Sequence, residues 1–181
     1  GCSLLSRLTV VAVANAAATA TTLNVAEACF ALADVVRHLP HEPRVAHSFV
    51  TTMTRLGVSP ETTRAMDALV PDFSRNAGVA QVGCTVLCAW GGKLASLDGG
   101  MRDKVCDAVT VAVKHFAAAD ENVARKGLSV LSHLAETPRG AAKLLSVGAD
   151  TVATDVLRRL PRDFSVARNA SALGQPRADG G

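Results

Sequence analysis

The sequence predicts an all-α chain built as a stack of about four helical units, the first of them degenerate. Three observations predict it: a core that must be filled by small and aliphatic side chains, a glycine-led octet that recurs along the chain, and Pro and Gly punctuation between helix-length segments. Hydrophobic residues make up 49% of the 181 residues and charged ones 19%, enough apolar surface to offset the ordering entropy of folding. Aromatics are only 3%, with no Tyr and a single Trp. Ala, Val and Leu therefore fill the interior, which suits closely packed helices better than a β-sandwich.

The octet Gly1-Cys-Ser-Leu-Leu-Ser-Arg-Leu8 returns as Gly127-Leu-Ser-Val-Leu-Ser-His-Leu134, with five of eight positions identical. Between them Gly83-Cys-Thr-Val-Leu-Cys-Ala-Trp90 keeps the Gly and the second apolar Leu, and from Gly83 to Gly127 the step is 44. Weaker copies are Ala28-Cys-Phe-Ala-Leu32 and Ala167-Arg-Asn-Ala-Ser-Ala-Leu173. Recurrence at a period near 40 is the signature of repeat architectures. In the two strong copies Val79, Gly83, Val86, Leu87 and Trp90, and then Val123, Gly127, Val130, Leu131 and Leu134, fall on one helical face. Each reads as a buried helix. Glycine inside a helix costs about 1 kcal/mol relative to Ala, so Gly83 and Gly127 mark places where a neighbouring backbone leaves no room for Cβ.

Two further helices fit between copies. After the Gly127 copy, Thr137-Pro opens a short helix through Ala141 to Val147, Gly148 stops it, and a second runs from Asp150 to Leu160 until Pro161. The same order comes earlier: Arg44 to Leu56, a break at Gly57, Glu61 to Val70, Pro71, then the Val79 helix. The unit reads short helix, medium helix, long buried helix. A unit of this kind cannot cover its own apolar face, so units must stack.

These copies resemble armadillo repeats, three helices over about 40 residues with a third-helix signature of the form Ala-x-x-Ala-Leu-x-Asn-Leu-Ala. Val79 to Trp90, Val123 to Glu136 and the Ser146-Val-Gly-Ala149 turn carry the likeness, which covers most of residues 24 to 174; HEAT repeats are the close alternative. The resemblance implies a right-handed α-solenoid whose third helices line a concave groove for extended peptides or other proteins, with neither cofactor nor metal. Importin-like members grip peptide with a Trp and an Asn four apart. Carried over, those places are Ser3 and Arg7, Phe30 and Asp34, Thr85 and Ala89, and Ser129 and His133. None is a Trp and Asn pair, which argues against the importin manner of binding. Phe30, Asp34, Thr85, Ala89, Ser129 and His133 are the expected partner-binding residues.

The remaining chemistry is sparse. There is no phosphate loop, His-Glu-x-x-His, nucleophile elbow or Cys-x-x-Cys, so catalysis has no visible seat. His38, His41, Glu42 and His47 supply the ligand types for zinc and define the alternative reading, an all-α metal-binding or enzymatic bundle. A third reading, a helical nucleic-acid binder, rests on Arg158, Arg159, Arg162 and Arg168, but a net charge of +3 is balanced and stacking aromatics are few. His115 with Asp120 and Glu121 reads as helix-end capping. Cys84 and Cys88 share a helix face. Five cysteines, an odd number set in apolar pattern, read as reduced thiols and a cytoplasmic, reducing compartment.

Arg7 and the apolar run after it imitate a secretory signal, yet the same octet recurs inside the chain, and the run is too short to span a membrane. Gly1-Cys2 lacks the Ser or Thr that acylation after Gly requires at position 5, where Leu5 stands. Without an initiator Met the chain reads as a piece of a longer protein: one repeat domain over residues 1–174 and a frayed tail over 175–181.

Overall fold

A computed structural model describes residues 25–174, and the first octet, Cys2 and the tail lie outside them. Among the described residues there are nine α-helices, two short 3-10 turns and no strand. The helices are α1 (Val25–His38), α2 (Pro43–Leu56), α3 (Pro60–Leu69), α4 (Ala77–Trp90), α5 (Gly99–Phe116), α6 (Glu121–Leu134), α7 (Pro138–Ser146), α8 (Ala149–Arg159) and α9 (Phe164–Gly174).

Local chemistry explains most boundaries. Proline stands at the first turn of α2, α3 and α7, where its missing N–H costs nothing. Ser59 and Thr62 cap α3 reciprocally, each side chain accepting the other's backbone N–H. Gly57, Gly91 and Gly148 take positive φ between helices, a conformation that side chains with Cβ resist. Asn76 accepts from the N–H groups of Gly78 and Val79, Asp120 from those of Asn122 and Val123, and Asp163 from those of Ser165 and Val166. The same device, an Asx cap with a fully buried Val three residues on, thus opens α4, α6 and α9.

The helices pack in two sets. α2 lies against α4, α4 against α6, and α6 against α9; α1 packs on α3, and α5 on α6, α7 and α8. Ion pairs link Arg37 to Asp72, Asp67 to Lys104, Asp103 to Arg139 and Arg125 to Asp163, at separations of 35 to 38 residues. Lys143 with Asp107 adds another at 2.7 Å. Exposed pairs of this kind hold little energy singly, about 0.2–1 kcal/mol each.

All ten residues expected on the two strong apolar faces are buried, Val79 and Val123 completely. Three expectations are corrected. The glycines make room for side chains: a methyl on Gly83 would overlap the Phe73 ring and one on Gly127 would overlap Val113. The backbone approach is at Gly140 instead, beneath the Leu134 carbonyl. The short–medium–long order also fails, since the 18 residues of α5 exceed the 14 of α6, and a 3-10 turn at Gly91–Ser96 stands where a short helix would. Finally, the copy around Ala28 lies on α1, which joins α2 and α3 rather than the α2, α4, α6, α9 row.

Asp163 yields a pH prediction. The Ser165 hydroxyl, then the Val166 N–H and then Arg125 hold its carboxyl down at about 2, against an ordinary 3.8. A carboxylate lowered by folding stabilises the fold above its unfolded pKa and loses that contribution as pH falls toward the folded value. Melting temperature should therefore drop between pH 4 and 2. Asp163→Asn keeps a capping acceptor without the charge, so its melting temperature should fall less over that window; parallel pH titrations of the two proteins by circular dichroism check this.

Candidate partner-binding face

Counted from the capping residue, equivalent steps on the helices of the row are Thr51 and Arg55 on α2, Thr85 and Ala89 on α4, Ser129 and His133 on α6, and Ala172 on α9. Four of the six residues expected from sequence, Thr85, Ala89, Ser129 and His133, thus lie on two helices packed side by side. The Cys88 thiol meets the Ser129 hydroxyl at 3.4 Å and ties α4 to α6 there. The Thr85 hydroxyl donates to the Gln81 carbonyl at 2.7 Å, and Ala89 is exposed. His133 pairs with Glu136 at 3.1 Å through Nδ1, while its Nε2 side lies over Gly91 at the end of α4. The Gly91 bend leaves space that a side chain would fill.

Phe30 and Asp34 are placed elsewhere. Both are on α1; Phe30 is 41% exposed, and the Asp34 carboxylate lies near Arg37 and His38. By register, Thr51 and Arg55 take the steps assigned to them from sequence. The sequence does carry a signal for this: Val45 stands three residues after Glu42, the residue before α2, as Val79 does after Asn76. The weak similarity around Ala28 pointed to the wrong helix.

Beyond His133 the face deepens into a cavity of about 520 Å³ between α6, α7, the start of α8 and α9. Ser129, His133, Leu144, Leu145, Asn169 and Leu173 are among its walls. Asn169 is only 7% exposed. Leu145, by contrast, is 63% exposed. Neither residue was expected at the site from sequence.

No family model, curated protein or solved structure matches the chain. Geometry must carry the reading alone.

Other candidate sites fare differently. Among the described residues no three His, Cys, Asp or Glu side chains are placed to hold a metal ion, so His38, His41, Glu42 and His47 are not gathered into a ligand set. Cys29, Cys84, Cys88 and Cys106 are free thiols; burial, ahead of neighbouring charges, pushes Cys84 and Cys106 up to about 12 and so leaves them unreactive. The arginines are dispersed. Arg158 pairs with Asp155 at 3.0 Å, Arg159 and Arg162 flank an open hollow beside Asp163, and Arg168 borders the α6–α9 cavity. Among the described residues no helix is long and apolar enough to cross a membrane.

Proposed function

We propose that the chain is an armadillo- or HEAT-like right-handed α-solenoid segment that works as an interaction scaffold, holding another polypeptide along the face made by α2, α4, α6 and α9. It binds and does not catalyse. One observation carries the reading: these four helices are successive neighbours at a spacing of one repeat, so equivalent residues recur side by side along a continuous surface. Stacked repeats present extended surfaces of this kind, suited to long ligands rather than small substrates. The buried thiols fit a reducing compartment.

Photocrosslinking through a benzophenone amino acid tests it. Placed at exposed Ala89 it should capture a defined set of polypeptides, whereas at Thr154, on the exposed side of α8, it should capture none of them. Adding Arg55→Glu and His133→Glu to the Ala89 probe should reduce capture at least about fivefold, the loss of roughly 1 kcal/mol that marks a significant contact. Equal capture from both positions, or capture indifferent to the two substitutions, would remove this face as the binding surface.

A further inference from the structure

A second cavity, of about 530 Å³, opens between the later turns of α5 and the length of α8, away from the α2, α4, α6, α9 row. Its apolar wall includes Val113, Val152 and Val156, all buried. Thr110 borders it too, at 3% exposure, and the Thr110 hydroxyl has no hydrogen-bond partner among the described residues. Other threonines inside helices behave differently. Thr85 and Thr154 each donate to the carbonyl four residues back. A buried hydroxyl without a partner is costly, so the group that satisfies Thr110 must come from the cavity.

The charges left free there are positive. Lys114, one turn beyond Thr110 on α5, and Arg159 at the end of α8 border the cavity and form no ion pair among the described residues. Asp155, the acidic residue in the lining, is already held by Arg158 at 3.0 Å. The start of α8 adds donors of its own. Its N-cap, Gly148, also lines the cavity, stands in open space and offers no side chain to the first N–H groups of this 11-residue helix. Such a terminus carries positive partial charge and takes an anion. Asp150 in that first turn borders the α6–α9 cavity as well, and it is absent from the lining of this one. The pairs Asp103 with Arg139 and Asp107 with Lys143 run α5 and α7 in the same direction, and one further turn brings the Thr110 stretch level with Val147 and Gly148. Hydroxyl, ammonium and helix start thus converge on one end, beside an apolar wall, which is the composition of a ligand pocket.

We propose that the α5–α8 cavity binds a small aliphatic carboxylic acid as its anion. The carboxylate accepts from the Thr110 hydroxyl and the first N–H groups of α8 and is neutralised by Lys114, while the hydrocarbon chain lies against Val113, Val152 and Val156. Arg159, at the far end of α8, adds only long-range attraction. The site is independent of the polypeptide-binding face.

The test uses the whole chain, labelled with nitrogen-15, and hexanoate as probe, followed by NMR. Saturable shifts should appear at the amides of Lys114, Gly148 and Thr151 with an affinity of about 1–10 mM, the range expected for so small a ligand. Hexanol, which lacks the charge, and acetate, which lacks the chain, should each bind at least about fivefold more weakly. Thr110→Val removes only the unpartnered hydroxyl, so its melting temperature should be no lower than that of the wild type while hexanoate binds at least about fivefold more weakly. Lys114→Gln, an exposed change, should reduce the preference for hexanoate over hexanol by a similar factor. Absence of saturable shifts, equal binding of hexanol, or wild-type binding by both variants would overturn the site and leave the Thr110 hydroxyl satisfied by water. Tighter binding of the tripeptide Gly-Gly-Leu than of hexanoate would overturn the free acid as ligand in favour of a polypeptide terminus.

Discussion

Phe73→Ala is expected to lower the free energy of unfolding by about 3–5 kcal/mol, the usual cost of deleting a buried aromatic ring. Phe73 is fully buried just after the 3-10 turn that ends α3, and its ring tip lies directly under Gly83 in α4. Ring and glycine form one fitted pair. Gly83→Ala should itself be destabilising by about 1–3 kcal/mol, because the overlap with a fully buried ring outweighs the roughly 1 kcal/mol gained in helix propensity. Phe73→Leu combined with Gly83→Ala should then cost less than the two single substitutions added, since the shortened side chain leaves space for the methyl. Urea unfolding followed by emission of the single tryptophan, Trp90 at the end of α4, measures all four proteins. Strict additivity in that cycle would mean that the ring and the glycine are not in contact.

Trp90→Ala is the second large effect, again about 3–5 kcal/mol. Trp90 is 3% exposed, and its indole N–H donates to the Met53 carbonyl at 3.1 Å, joining the end of α4 to the last turn of α2 across 37 residues. That carbonyl also accepts the Gly57 N–H at 3.0 Å. Trp90→Phe therefore keeps most of the burial and leaves no orphaned acceptor, and it should cost only about 1–2 kcal/mol. Circular dichroism must replace fluorescence here. A phenylalanine variant as damaged as the alanine one would place the energy in the hydrogen bond rather than in packing. Because α4 contributes Thr85 and Ala89 to the face, Trp90→Ala should also weaken Ala89 crosslinking, while Trp90→Phe should not.

Much of this architecture is legible before any coordinates. Helix starts at Pro43, Pro60 and Pro138, the stops at Gly57 and Gly148, and the apolar faces led by Val79 and Val123 all depend on chemistry within a few residues: a ring without an N–H, a backbone without Cβ, a side chain repeating every turn. The face is less legible. Residues 85, 89, 129 and 133 fall on adjacent helices because those helices are strong copies, whereas Phe30 and Asp34 fall on α1 because composition near Ala28 resembles a copy without sharing its capping register. Asn169 gives no sign in sequence. An asparagine in an Ala-rich helix looks like ordinary surface until α9 packs against α6 and α8.

By itself the chain determined its helices and their caps, since each follows from interactions among near neighbours. Tertiary structure decided which helices stand side by side, that glycines 83 and 127 admit side chains rather than backbone, and that Leu145 and Asn169 border one cavity. Those outcomes join residues tens of positions apart, and side-chain volume meeting across an interface leaves no local pattern to read.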